Sequence, residues 1–290
     1  MILNKYRKKA LIYLVIASVL WSIGGVFIKL VEWNPVAIAG ARSGIAAIVM
    51  MIYMRRPVTR LGKFKLLGGC SYALLVMLFV TANKLTSSAN AIFLQNTAPI
   101  WIALFSRWFL KERIERYDWV TIVVVMMGMT LFFIGNLNSG NIKGNFIAVL
   151  SGVAMAGVVI FLKLQKEDSP LEMTVVGNII TFIIAIPFFF ISVPNLRSIL
   201  GLLILGVFQL GISYIFYTTA IKYVSTVEAI LIPILEPLLN PVWVFWGTGE
   251  APSVYAVLGG ALVIITITIR CLYHQRKMSK LEQAEGKLTG

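Results

Sequence analysis

The stretch TANKLTSSANAIFLQNTAP at residues 81–99 recurs in altered form as TAIKYVSTVEAILIPILEP at residues 219–237. Extended to residues 81–117 and 219–255, the two copies keep a constant spacing of 138 residues and share nine identities in 37 positions. Random pairing at about one match in twenty would give roughly two, so the spacing indicates an internal duplication. The identical pairs are Thr81/Thr219, Ala82/Ala220, Lys84/Lys222, Ser87/Ser225, Ala91/Ala229, Ile92/Ile230, Pro99/Pro237, Glu112/Glu250 and Tyr117/Tyr255.

The composition places both copies in a membrane. Of the 290 residues, 59% are apolar and 13% are charged, and the mean hydropathy is +0.86. A soluble domain of this length cannot bury so much apolar surface. The only histidine, His274, lies in a basic tail, so we expect no histidine-based metal site or catalytic triad. Cys70 and Cys271 are interpreted as packing residues, and neither a metal nor a cofactor is predicted.

The net charge of +14 is spread over short basic clusters between apolar runs. Such clusters are typical of the loops that flank membrane spans, so the expected surroundings are a lipid bilayer and not nucleic acid. No G-x-x-x-x-G-K segment is present, which argues against ATP as the energy source. Nothing in the sequence predicts an oligomeric state.

Apolar stretches of about 20 residues, the length that crosses a bilayer as a helix, predict the fold. The fold class is all-α integral membrane, with ten transmembrane helices as two inverted five-helix repeats and both termini cytoplasmic. A Gly/Asn/Ser-rich linker at 136–142 divides a first repeat, 1–135, from a second, 143–270, and a basic tail follows at 271–290. The predicted spans are 10–30, 36–54, 64–83, 88–108, 117–135, 144–163, 171–192, 198–220, 226–246 and 253–270.

The orientation follows from the distribution of basic residues. With the amino terminus in the cytoplasm, 21 of the 26 Lys and Arg residues fall on the inner side and one, Arg42, lies within a span. The remaining four, on the outer side, are Lys29, Lys84, Lys143 and Arg197. This bias predicts that both termini are inside. Because five spans per half is an odd number, the second half is inverted, an arrangement that places a substrate site near the bilayer midplane.

Charged groups deep in the spans are expected to have a structural or functional role, because inserting a charged side chain at the centre of a membrane helix costs about 2.5–3.5 kcal/mol. Proline and polar residues share one face of span 9, and with their equivalents in span 4 they predict bent helices and a cavity wall. Packing of that face against the other half is the alternative. The residues of span 9 are Pro233, Glu236, Pro237, Asn240 and Pro241, and those of span 4 are Gln95, Asn96 and Pro99. Ala98 occupies the position equivalent to Glu236.

Arg42 and Glu236 fall at similar predicted depths, so three interpretations stay open. They form a structural ion pair, or Arg42 holds an anionic substrate group while Glu236 binds an amine, or Glu236 binds the coupling proton. Asn178, Gln209 and Tyr217 are further predicted cavity-lining residues. Glu228 lies near the start of span 9, where solvation alone would account for its charge.

Several segments carry a resemblance to a known family. LWSIGGVFIK at 20–29, NPVAIAGAR at 34–42, TAPI at 97–100, FLKER at 109–113 and LEPL at 235–238 resemble the drug/metabolite transporter superfamily, specifically its EamA-type members. The resemblance covers residues 10–270. One departure is GTGEAP at 247–252, where family members usually continue after the glutamate with an apolar run and a basic residue.

The resemblance and the repeat together predict a secondary active or facilitated transporter in the cell (inner) membrane. It would export small metabolites, such as amino acids or related compounds, by alternating access. The alternatives are an intramembrane enzyme and a non-transporting scaffold subunit. Enzyme activity is not expected, because the spans contain no histidine and no central aspartate from which a catalytic site could be built.

Overall fold

The computed structural model describes residues 2–58, 61–112, 114–134, 141–165, 169–248 and 253–288, and these contain helices and no strand. The helices are α1 (Ile2–Ser22), α2 (Gly24–Leu30), α3 (Pro35–Met54), α4 (Lys63–Leu85), α5 (Ser88–Gln95), α6 (Ala98–Phe109), α7 (Arg116–Phe133), α8 (Ile142–Leu164), α9 (Pro170–Phe189), α10 (Leu196–Ile204), α11 (Ser213–Ala220), α12 (Thr226–Leu231), α13 (Leu235–Thr248) and α14 (Val254–Leu288). A π-helical segment, Leu205–Ile212, joins α10 to α11, and a 3₁₀ turn, Ile232–Ile234, joins α12 to α13.

Eight helical stretches of the described residues are long and apolar enough to cross a membrane. They coincide with eight of the predicted spans and make the chain a multi-pass membrane protein. The two remaining predicted spans, 88–108 and 226–246, are interrupted helices. The first breaks between α5 and α6, just before Pro99, and the second breaks at the 3₁₀ turn that contains Pro233. Proline lacks the backbone N–H that a continuous helix needs, so interruptions are expected there.

Each interrupted span starts with the same serine cap. The Ser87 hydroxyl accepts a hydrogen bond from the Asn90 backbone N–H at 3.1 Å, and the Ser225 hydroxyl accepts one from the Glu228 backbone N–H at 3.2 Å. Serine favours the N-cap because its side chain satisfies one of the free amides of the first turn. Since Ser87 and Ser225 are an identical pair of the repeat, the repeated sequence encodes the same helix start twice.

The first and second halves of the chain pack against each other through long helices. α3 lies against α9, α4 against α8 and α9, and α7 against α14. Small residues permit this approach, since a Cβ atom at Gly40 of α3 would lie only 2.0 Å from the Ala185 Cβ of α9. In a membrane, where lipid is as apolar as a protein interior, such close contact is a principal source of helix association.

Two boundaries differ from the sequence prediction or fall outside the described residues. The predicted linker at 136–142 lies outside them apart from its last two residues, and α8 already begins at Ile142. The predicted tail at 271–290 starts as helix, because α14 continues without a break to Leu288. Polar contacts support its first turns: the Tyr117 hydroxyl lies 3.1 Å from His274 Nδ1, and Lys277 pairs with Glu115.

Candidate functional site

A small cavity lies where helices of the two halves meet. Its open volume is about 50 Å³, which holds a few water molecules and is far too small for a metabolite. A metabolite therefore does not fit into the cavity in this structure. Its wall is formed by Trp21, Arg42, Leu75, Val76, Phe79, Gln95, Met155, Gln209, Leu210, Tyr214 and Glu236.

Arg42 supplies the positive charge of the cavity. It lies two turns into α3, whose start is fixed by the Asn34 side chain accepting from the Val36 backbone N–H at 2.9 Å. Arg42 is 1% exposed, and its Nη1 donates a hydrogen bond of 3.1 Å to Gln209 Oε1. Its Nε has no hydrogen-bond partner among the described residues. A buried guanidinium with an unused donor is well suited to hold a carboxylate.

Gln209 belongs to the π-helical segment, a rare geometry that is frequent at functional sites. Its side chain occupies space that a glycine leaves open. A Cβ atom at Gly24, the first residue of α2, would lie 2.9 Å from Gln209 Nε2. The position of the Arg42 partner therefore depends on the absence of a side chain at residue 24.

Glu236 supplies the negative charge of the cavity. It is the second residue of α13, which directly follows the 3₁₀ turn. Among the described residues its carboxylate accepts no hydrogen bond and forms no ion pair with Arg42, whose hydrogen bond goes to Gln209. One cation and one anion thus line the same space without pairing directly with each other.

Aromatic rings pack beside these charges. The Trp21 ring centroid lies 5.0 Å from that of Tyr214 and 5.1 Å from that of Tyr217, and Tyr214 lies 4.9 Å from Tyr72. Tilted and edge-to-face pairs at these separations are favourable and hold rings in fixed orientations. The cavity therefore has a rigid aromatic wall next to its two ionic groups.

A buried ionic cluster closes one end of the bundle, which we call the Arg7 end because α1 begins there. Glu228 of α12 pairs with Arg7 and lies 3.3 Å from Arg270 Nη1, and Asp118 Oδ1 accepts from Arg270 Nε and Nη2, each at 3.1 Å. The Glu228 side chain is fully buried and that of Arg270 is 2% exposed. The expectation that solvation accounts for Glu228 is thus wrong, because the cluster, not water, compensates its charge.

A second buried group lies at the same end. Lys65 Nζ donates to Glu172 Oε2 at 2.7 Å, and Arg56 Nη2 lies 3.1 Å from Glu172 Oε1. This second group joins α4 to the start of α9. Beside the first cluster, Lys163 at the end of α8 donates a hydrogen bond to the Val224 carbonyl. Buried ion pairs of this kind are costly to break once formed.

Hydrogen bonds close the opposite end, which we call the Lys29 end. Lys29 Nζ donates to the Thr86 carbonyl at 3.0 Å, and Thr86 Oγ1 donates to Asn145 Oδ1 at 2.9 Å. The Glu32 backbone N–H donates to Ser198 Oγ at 2.9 Å. Polar contacts therefore join the two halves at both ends of the bundle.

Comparison with known proteins decides the family. The sequence profile of the EamA-like transporter family matches residues 8–134 and matches again at residues 142–270. The chain belongs to the EamA-like transporter family. This confirms the resemblance of its sequence motifs, and the protein is a membrane transporter.

Relatives of this EamA-like transporter are named transporters. The pseudopaline exporter CntI of Pseudomonas aeruginosa is 26% identical over 271 residues, which cover 89% of this chain and 94% of that protein. The uncharacterized transporter YdfC of Bacillus subtilis is 24% identical over 279 residues, covering 89% and 88%. Human solute carrier family 35 member G1 is 24% identical, covering 89% and 77%. A crystal structure with 18% identity superimposes with a TM-score of 0.75 over 93% of this chain and 98% of that one, which supports the same fold.

The structure of this EamA-like transporter brings four of the predicted site residues into one wall: Arg42, Gln95, Gln209 and Glu236. Three others do not line the cavity. Asn96 donates to the Ile92 carbonyl, Asn178 to the Tyr72 hydroxyl, and Tyr217 to the Ala229 carbonyl. The side chains of Asn240 and Pro241 lie outside the described part of the chain. Pro99 is the second residue of α6, Pro233 lies in the 3₁₀ turn, and Pro237 lies inside α13.

Sequence reasoning missed the apolar part of the cavity wall and the ionic clusters. Trp21, Phe79 and Tyr214 look like ordinary packing residues, since apolar spans contain many aromatic rings. Asp118 and Arg270 stand at span ends, where charges are normal, and 152 positions separate them. They are recognisable as a buried ion pair only from their contact in the structure, which no local sequence pattern predicts.

Proposed function

We propose that this EamA-like transporter exports small zwitterionic metabolites, such as amino acids or related compounds, across the inner membrane by alternating access. The proposal rests on Arg42 and Glu236, two opposite charges that line one cavity without forming an ion pair with each other. A zwitterion presents the complementary carboxylate and ammonium groups. One relative is named an exporter, which favours the same direction here.

Inversion of the two halves is supported by the contacts that the two copies of the repeat make with α1 and α2. The two copies contact opposite ends of this stretch. The first copy begins beside Lys29, which binds the Thr86 carbonyl, and the second begins beside Arg7, which pairs with Glu228. Arg7 and Lys29 lie at opposite ends of one 25-residue stretch, Tyr6–Leu30, which is long enough to cross a bilayer. The double match to one family profile also favours two equivalent halves.

Alternating access is supported by the size of the cavity and by the contacts that join the two halves at both ends of the bundle. A metabolite cannot enter a space of about 50 Å³, so transport requires the halves to separate at one end at a time. At the Arg7 end, which the basic residues assign to the cytoplasm, two ion pairs of the Glu228 cluster cross between the halves: Arg7 with Glu228, and Asp118 with Arg270. We take this structure as the occluded state and the cluster as the inner gate.

Glu236 is also our candidate for the proton-coupling group. A carboxylate that lines a cavity and accepts no hydrogen bond from the described residues can exchange a proton when one end opens. Its charge would then change the electrostatic attraction for the ammonium group of the substrate. Proton binding and substrate binding would compete at the same carboxylate.

The experiment that tests the substrate class is a thermal-stability screen of the purified protein. The compounds are amino acids, the amines that lack their carboxylate, and the acids that lack their amine. A compound that binds the folded protein raises the midpoint of its thermal unfolding by mass action. We expect zwitterions to stabilise the wild type and to lose that effect in Arg42→Gln and Glu236→Gln. Stabilisation by amines alone, unchanged in Arg42→Gln, would contradict the proposal.

A further inference from the structure

A second cleft, larger than the central cavity, opens on the surface of the helix bundle between α6 and α7. Its volume is about 560 Å³, and its wall is formed by Ala103, Leu104, Arg107, Trp108, Ile114 and Trp119. It contains none of the residues of the central cavity. We propose that it binds an anionic phospholipid, with the phosphate at Arg107 and the start of an acyl chain against the apolar wall.

The neighbouring side chains place the cleft mouth against lipid. Trp108 is 71% exposed, Val120 is 62% exposed and Val123 is 54% exposed, although all three are apolar. Tryptophan is enriched at the depth of lipid headgroups, and Trp108 and Trp119 both border the cleft. Arg107 lies on the turn of α6 that ends at Phe109, so its guanidinium reaches the same depth.

The basic side chains around the cleft form no ion pair with any described residue. Arg107 makes no hydrogen bond or ion pair with any described residue, and the same holds for Lys111 and Arg116, which are exposed on either side of the turn between α6 and α7. The acidic residues of that turn are already engaged. Glu112 accepts from the Thr226 hydroxyl at 2.7 Å, and Glu115 pairs with Lys277. Basic residues at a membrane surface attract acidic headgroups, and a basic cleft between spans is a typical headgroup site.

The test titrates the purified protein in detergent with dioctanoyl phosphatidylglycerol, dioctanoyl phosphatidylcholine or inorganic phosphate, and follows the thermal midpoint. We expect phosphatidylglycerol to stabilise the protein at concentrations at which the other two have no effect. Arg107→Gln should weaken phosphatidylglycerol binding about fivefold, the effect expected of one basic contact, and Arg107→Lys should retain most of it.

The matched control is Arg197→Gln, which removes an exposed arginine of α10 that is not part of the cleft. Equal stabilisation by phosphatidylcholine would overturn the proposal, as would equal stabilisation by phosphate or the same loss in Arg197→Gln. If Arg107→Gln does not fold, Trp108→Ala replaces it with the same expected loss. Unchanged binding in both variants would also overturn the proposal.

Discussion

Arg42 of α3 and Gln209 of the π-helical segment are joined by a hydrogen bond of 3.1 Å that crosses between the two halves of the chain. The contact holds the guanidinium in the cavity wall without neutralising it. Arg42 is therefore kept charged and in place by a neutral partner. A ligand carboxylate can still reach its remaining donors.

Gln209→Glu should convert this contact into an ion pair. The new carboxylate would raise the thermal midpoint, because it would neutralise the charge of Arg42, which is already buried. It would also compete with a ligand carboxylate for the Arg42 guanidinium. We expect ligand affinity to fall at least about tenfold, or about 1.4 kcal/mol, as measured by ligand titration of the midpoint. Gln209→Met is the control and should lower stability by about 1–3 kcal/mol, because it leaves Nη1 unpaired. Unchanged affinity in Gln209→Glu would contradict the role of Arg42.

Gly24→Ala should displace Gln209 with little loss of stability. Its Cβ atom would meet the flexible end of Gln209 at 2.9 Å, so the glutamine moves and the backbone does not. We expect transport activity to fall several-fold at a nearly unchanged thermal midpoint. Gly260→Ala is the control, because its Cβ atom would meet Phe132 at an ordinary 3.6 Å. Equal activity in the two variants would show that the position of Gln209 does not matter.

Glu236→Gln should abolish the dependence of transport on a pH gradient. The amide has nearly the shape of the carboxylate but cannot bind and release a proton. Uptake into proteoliposomes with and without an imposed gradient measures the effect, and Glu115→Gln, an exposed acid paired with Lys277, is the control. A gradient dependence that survives in Glu236→Gln would assign coupling to another group.

Glu228→Gln should loosen the inner gate. Removing one partner from a buried ion pair costs about 3–5 kcal/mol, and here it leaves Arg7 and Arg270 without their shared carboxylate. Cys70 is exposed, so its interpretation as a packing residue is wrong, and it is replaced by serine for this test. Cys271, half-buried next to Arg270, is then a native reporter. An impermeant maleimide added from the cytoplasmic side should label Cys271 faster in Glu228→Gln than in the parent variant. Equal labelling rates would contradict the gate.

The sequence predicted those features that local patterns encode. Hydrophobic stretches of the right length predicted the eight long helices, and Pro99 and Pro233 lie at the interruptions of the other two spans. Arg42 and Glu236 were found because a charge within an apolar stretch is conspicuous. Both now lie in the wall of one cavity.

Features that depend on long-range contacts were not predictable in this way. The prediction for Asn178 and Tyr217 used helical spacing, which cannot tell a cavity wall from a helix contact, and both donate to other helices. Glu228 was judged from its depth alone, whereas its burial depends on Arg7 and Arg270, 221 and 42 positions away. The π-helical segment around Gln209 likewise packs against α3, a contact that no pattern within residues 205–212 reveals.

The central claim is that this chain moves a zwitterion through the cavity between Arg42 and Glu236. The most direct test is efflux of a labelled amino acid, chosen as the strongest stabiliser in the thermal screen, from proteoliposomes containing equal amounts of folded protein. We predict efflux by the wild type and loss of at least about 90% of it in Arg42→Gln, a change of about 1.4 kcal/mol or more. Efflux by Arg42→Gln at the wild-type rate would contradict the account.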